Sequence, residues 1–130
     1  LLGAGGVGKT SLVHSFFGER IPINYYPTIG SLINKKQYKL ELDEQGILIN
    51  LNIWDIGGQR SFNPLNPVFF QNTDAAFFIF DLSKLKESLM VIKNIFLPNL
   101  IQKSEDSISF LIGNKVDLEY DKEDLKSEIM

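Results

Sequence analysis

Eight residues near the start of the chain, Gly3-Ala4-Gly5-Gly6-Val7-Gly8-Lys9-Thr10, fit the pattern G-x-x-x-x-G-K-[ST]. Each fixed position has a physical reason. Backbone N–H groups that turn inward to wrap a phosphate need dihedrals that glycine tolerates. A helix starting near Lys9 aims its positive dipole end at the same phosphate. Lys9 offers a mobile cation to the outer phosphates of a nucleotide, and the Thr10 hydroxyl is placed to ligate Mg2+. By chance the pattern arises in about one or two chains per thousand of this length. The competing reading, a glycine-rich turn before a surface lysine, does not account for the helical pattern that follows.

Two further segments could act on the same ligand. Asn114-Lys115-Val116-Asp117 follows a short apolar run. The Asp117 carboxylate can accept two hydrogen bonds from the N1–H and exocyclic amine of guanine. Adenine would leave it unpaired, a mismatch worth roughly several orders of magnitude in selectivity. Lys115 can lie along base and ribose, and Asn114 can tie loops together. Alone the pattern is weak, because Asn and Asp also favour solvated turns. Trp54-Asp55-Ile56-Gly57-Gly58-Gln59 offers an Asp to hold Mg2+ directly or through water. Gly58 lets a backbone N–H approach a γ-phosphate, and Gln59 can orient an attacking water. Taken alone, this stretch also reads as a strand end with a Gly-Gly turn.

These groups must be positioned by regular elements. Lys9–Phe17 reads as a short helix stopped by Gly18, and Ile21–Gly30, with two prolines, as a loop. Gln37–Leu42 and Ile47–Trp54 alternate across a turn at residues 43–46, which predicts an antiparallel hairpin. Pro64 and Pro67 interrupt Ser61–Asn72. Ala75–Leu82 and Ile108–Ile112 read as buried strands. Leu85–Lys103 reads as the longest helix, with Pro98 late in it, and Lys122–Met130 as the start of another. Strands alternating with helices imply right-handed crossovers and a mostly parallel sheet, with the antiparallel hairpin at one edge and helices on both faces. The expected class is a three-layer α/β/α fold of the P-loop NTPase type. In such sheets ligands sit at the carboxyl ends of strands, which places the Asn114–Asp117 loop on the edge that carries the phosphate loop.

Composition limits the alternatives. The chain has 130 residues, 13 Lys+Arg against 16 Asp+Glu, net charge −3, 44% hydrophobic residues and no Cys. That suits one compact domain. The longest apolar run, Ala75–Phe80, falls far short of the ~20 residues of a membrane helix. Mild acidity argues against binding along a nucleic-acid backbone. Absent Cys removes disulfides, zinc–thiolate sites and thiol nucleophiles, and suits the cytoplasm. His14, the single His, reads as a surface side chain, and Trp54 and the Phe residues as core.

Together the three segments resemble the Ras superfamily of small GTP-binding proteins, over essentially the whole stretch from Gly3 to Asp117. Tyr25-Tyr26-Pro27-Thr28-Ile29-Gly30 is similar to the first switch loop in its Rab-like form. The resemblance implies a molecular switch that binds GTP or GDP with Mg2+ and hydrolyses GTP slowly. Thr28, with Thr10 and Asp55, would ligate Mg2+ and contact the γ-phosphate. Gln59, Lys9 and Thr28 would serve hydrolysis. Nucleotide contacts would come from Gly3, Gly5, Gly6, Val7, Gly8, Lys9, Thr10, Ser11, Tyr25, Gly58, Asn114, Lys115, Asp117 and Leu118. A GTPase-activating protein, an exchange factor and effectors would read two loops.

The chain also departs from the family pattern. Ile56-Gly57-Gly58-Gln59-Arg60 is similar to the Arf and heterotrimeric Gα branches and to some divergent Rab-like proteins, and Ile21 stands where an aromatic usually stacks on guanine. No Arg precedes Thr28 as a finger in cis, which implies acceleration in trans. A non-hydrolysing GTP-binding module and an ATP-using phosphotransferase are the competing functions. The family pattern also implies that residues 1–130 are an incomplete domain, lacking the start of the first strand and a last strand and helix. Any lipidated tail for the cytosolic face of a membrane would lie outside this segment.

Overall fold

A computed structural model describes residues 1–24, 26–42, 45–58, 70–104 and 106–129. In chain order the elements are α1 (Lys9–Phe17), β1 (Ser31–Leu42), β2 (Gln45–Ile56), β3 (Ala75–Asp81), α2 (Leu85–Val91), α3 (Leu97–Lys103), β4 (Ile108–Asn114) and α4 (Lys122–Ile129). β1 and β2 form an antiparallel ladder running from Ser31–Ile56 to Leu42–Gln45. β3 and β4 pair in parallel, from Ala75–Ile108 to Asp81–Asn114. Leu1-Leu2 joins the two ladders. The Ile56 N–H donates to the Leu1 carbonyl at 3.4 Å, the Leu2 N–H to Phe77 at 2.9 Å and the Ile79 N–H to Leu2 at 2.7 Å. The parallel strands with an antiparallel hairpin at one edge are therefore those expected.

The hairpin is longer than its alternation suggests. Lys35 and Lys36 mask the pattern at the start of β1, but pairing with β2 extends the strand back to Ser31. Gln45 and Gly46, expected in the turn, belong to β2, and Asp43 and Glu44 lie outside the described residues. On one face of the hairpin the Lys36 ammonium sits 4.7 Å from the Phe16 ring centroid and 5.2 Å from those of Phe17 and Tyr38. This cation–π contact ties β1 to the end of α1.

The main core lies between β3 and the α2–α3 segment. Phe78 and Phe80 pack with Leu85, Leu89, Ile92, Phe96 and Leu100. The period of three and four along 85–103 explains this face. The segment is not one uniform helix, because Ile92–Phe96 forms a π-type turn just before Pro98. Proline has no N–H for the carbonyl four residues back, and the ladder widens there. The Asn99 side chain donates to the Ile95 carbonyl at 2.6 Å.

Two burial expectations need correcting. β4 is not buried: Ile108, Phe110 and Leu111 are exposed. Among the described residues it is hydrogen-bonded only to β3, so its apolar side chains have one flank. Phe77 is likewise exposed and stacks on Phe110, with centroids 4.9 Å apart. Trp54, expected in the core, is 38% exposed at the end of β2. α4 begins at Lys122, as expected. The Asp121 carboxylate accepts from the Glu123 and Asp124 N–H groups at 2.8 and 3.1 Å, an N-terminal cap. The expected interrupted helix at Ser61–Asn72, with Pro64 and Pro67, lies almost wholly outside the described residues.

Candidate functional site

The glycine-rich loop follows Leu1-Leu2, where Leu2 bridges Phe78 in parallel, and runs directly into α1. Gly8 precedes the helix with φ 100°, a left-handed conformation that costs an L side chain strain. A Cβ there would lie 2.3 Å from the Asn114 side-chain nitrogen. That nitrogen donates to the Val7 carbonyl at 2.8 Å, so the loop and the end of β4 are held together across the sheet edge. Asn114 thus has the loop-tying role expected of it.

Lys9 is not the mobile cation expected from sequence. It is 6% exposed, and its ammonium donates to the Gly3 and Ala4 carbonyls at 2.9 Å each. Burial pushes its pKa down to about 8, and the Asp55 carboxylate partly opposes that fall. The charge is fixed in the loop by these two carbonyls.

Beside it, three side chains from distant segments converge. The Thr10 hydroxyl donates to Asp55 Oδ2 at 2.5 Å and lies 2.8 Å from the Thr28 hydroxyl. Asp55 is fully buried at the end of β2, and among the described residues its Oδ1 has no hydrogen-bond partner. A buried carboxylate oxygen without a partner carries a large desolvation cost that a cation relieves. Among the described residues no group of three His, Cys, Asp or Glu could hold a metal by itself. One carboxylate and two hydroxyls instead suit Mg2+, which keeps waters and takes phosphate oxygens as its remaining ligands. The residues present therefore fit Mg2+.

Gly57 and Gly58 follow the end of β2 on the same side. The Gly57 N–H donates to the Gly30 carbonyl at 2.8 Å, joining the end of β2 to the loop that carries Thr28. Gly5, Gly6, Gly8, Lys9, Thr10 and Ser11 line one wall of a cavity of about 540 Å³, and Thr28, Gly58 and Lys115 line the others. Gly3 contributes through its carbonyl on Lys9, and Val7 is buried beneath the loop. Asp117 and Leu118 are exposed in the turn after β4 and do not line this cavity, although the Leu118 N–H donates to the Lys115 carbonyl at 3.0 Å. Tyr25 and Gln59 lie outside the described residues.

Two residues near the cavity escape sequence reasoning. His14 is not simply a surface side chain: it lines the cavity, and its Nδ1 lies 2.6 Å from the Glu19 carboxylate. Its place four residues after Thr10, on the same face of α1, is the signal. Asp81 ends the apolar run of β3, is 3% exposed, and lies 2.6 Å from the Lys115 ammonium. Burial pushes its pKa up, but hydrogen bonds from Lys115 and Ser83 outweigh burial and hold the carboxyl below its ordinary range. A charged residue closing a buried strand was the available signal.

Residues 1–117 match the family described as Ras of Complex, Roc, domain of DAPkinase. The chain is 35% identical over 122 residues to Ras-related protein RABG3b of Arabidopsis thaliana, covering 92% of this chain and 58% of that protein. It is 33% identical over 132 residues to RABC2b of the same plant, covering 100% and 62%. It is 33% identical over 121 residues to Ras-related protein Rab-7b of Bos taurus, covering 92% and 58%. The chain thus spans about three-fifths of the length of these relatives. With a phosphate loop, a Thr–Thr–Asp cluster and an Asn-Lys-x-Asp turn on one sheet edge, the chain belongs to the Ras superfamily as a Roc-type, Rab-like small GTPase domain.

Proposed function

We propose that this chain binds GTP and GDP together with Mg2+, hydrolyses GTP to GDP and phosphate, and signals its nucleotide state through two loops. The observation that carries this reading is the convergence of Thr10, Thr28 and an Asp55 oxygen that has no partner among the described residues, beside the fixed Lys9 ammonium. When bound, Mg2+ supplies charge neutralisation across the outer phosphates. The chain's own residues do the positioning. The N–H groups of the glycine-rich loop and the start of α1 bind phosphate oxygens. Lys9 stabilises the charge that accumulates as the bond between the γ-phosphorus and the β–γ bridging oxygen breaks and the electron pair passes to the β-phosphate. Gln59 orients the water whose oxygen bonds to that phosphorus. Asn114 and Lys115 shape the base end, and Asp117 selects guanine once its turn closes over the base.

Thr28 and Gly58 come from separate loops, so a γ-phosphate would hold both and its loss would release both. Ile23, Tyr26 and Ile29, which flank Thr28, are exposed and offer apolar surface to effectors and regulators. An activating protein would supply a catalytic arginine in trans, and an exchange factor would open the nucleotide site.

Gln59→Leu tests the hydrolytic role. In a single-turnover assay with GTP it should reduce hydrolysis by about 10²-fold or more and leave GTP affinity within a few-fold, because water positioning acts only on the chemical step. Unchanged hydrolysis would reduce the domain to a binding module.

A further inference from the structure

Lys115, on the cavity wall, pairs with the buried carboxylate of Asp81, to which the proposed function gives no role. Asp81 closes β3 and stands directly opposite Asn114 in the parallel register. Its two carboxylate oxygens have different partners. Oδ1 accepts from the Ser83 N–H at 2.9 Å and the Ser83 hydroxyl at 2.7 Å, and Oδ2 meets the Lys115 ammonium at 2.6 Å. Lys115 itself is strained: its φ of 63° is left-handed, one of two such non-glycine conformations among the described residues. Its side chain is still 31% exposed and lines the cavity. Backbone and ammonium are therefore both fixed, on a residue that lines the cavity.

We infer that Asp81 is a positioning residue for guanine nucleotide: by anchoring the Lys115 ammonium from behind, it holds the Lys115 stem as a preformed wall of the base pocket. The inference rests on the function proposed above and deepens it. A free lysine stem samples many rotamers and would lose that freedom when a nucleotide bound. Anchored to a buried carboxylate, it has lost most of it beforehand, and the nucleotide is held more tightly for that reason. This matters here because Ile21, at the position where the family places a stacking aromatic, is half-exposed and supplies no ring. The anchor is held in turn by Ser83, whose two hydrogen bonds fix the carboxylate at the start of the turn after β3.

The test is release of fluorescent GDP from the intact protein for wild type, Asp81→Asn, Lys115→Met and the double variant. Asp81→Asn keeps an oxygen for Ser83 and loses the anion. It should release GDP about tenfold faster. Lys115→Met should also be fast, and the double variant should be no faster than Lys115→Met alone, because both changes break one device. An unchanged rate for Asp81→Asn, or a full additive effect in the Lys115→Met background, overturns the inference and leaves Asp81 a purely structural cap. If Asp81→Asn does not fold, Asp81→Glu is read instead. It displaces the charge by one methylene, and it must speed release beside Lys115 and have no effect beside Met. Failure of the wild-type protein to take up GDP overturns the proposed function and the inference together. Uptake with unchanged release from the variant overturns the inference alone.

Discussion

Lys9→Met leaves a folded protein that hydrolyses GTP about 10²–10³-fold more slowly than wild type, the loss expected when one preorganised donor to a developing charge is removed. Methionine keeps the unbranched stem and its packing, so the core beneath the loop is preserved. What disappears is a cation already held in place by the Gly3 and Ala4 carbonyls. Those carbonyls then lose their donor and turn toward the space a phosphate would occupy, so nucleotide affinity falls together with turnover. The fold loses little, because burial already disfavours the charged form and pushes the Lys9 pKa down to about 8. Single-turnover kinetics with GTP and a thermal unfolding scan separate the two effects. Near-wild-type hydrolysis, or a collapse of the fold with no nucleotide-specific defect, contradicts this account of the loop.

Gly58→Ala should uncouple the two nucleotide states. A Cβ at Gly58 would lie 2.4 Å from the Gly3 carbonyl oxygen and 2.5 Å from the Ala4 carbonyl carbon. Both neighbours are backbone atoms of the glycine-rich loop, so neither can swing aside as a side-chain tip would. The segment after β2 must therefore retreat from the loop. The Gly58 N–H then cannot reach a γ-phosphate. GDP has no γ-phosphate to lose contact with, so its affinity should stay within a few-fold of wild type. Hydrolysis of GTP should fall by about 10²-fold or more. In wild type, hydrogen-exchange protection of residues 21–30 should rise when GDP is replaced by a non-hydrolysable GTP analogue. In the variant it should not. A normal rise in the variant contradicts the proposed role of Gly58.

The site was largely legible because its parts are short and local. The glycine-rich loop, the helix that follows it and its stop at Gly18 all depend on neighbours within a few residues, and each lies where the sequence places it. Asn114 was legible as a loop tie for the same reason: an amide at the end of a strand has few other uses. What could not be read depends on pairing across the fold. The first half of β1 carries two lysines that hide its alternation, and only the partner strand extends it to Ser31. Lys9 was legible as a cation of the loop, but its burial and the hold of the Gly3 and Ala4 carbonyls on its ammonium were not. Asp81 and Lys115 are 2.6 Å apart only because β3 and β4 pair in that register. The exposure of β4 was missed because a run such as Ile108–Ile112 reads as buried whether or not both flanks are covered.

The central claim is that this sheet edge holds a guanine nucleotide, and competition binding tests it most directly. The intact protein, loaded with fluorescent GDP in the presence of Mg2+, is titrated with unlabelled GDP, GTP and ATP. The account predicts displacement by GDP and GTP at similar concentrations, and none by ATP at a roughly thousandfold excess, since adenine offers Asp117 no matching pair of donors. Displacement by ATP as readily as by GTP would contradict it.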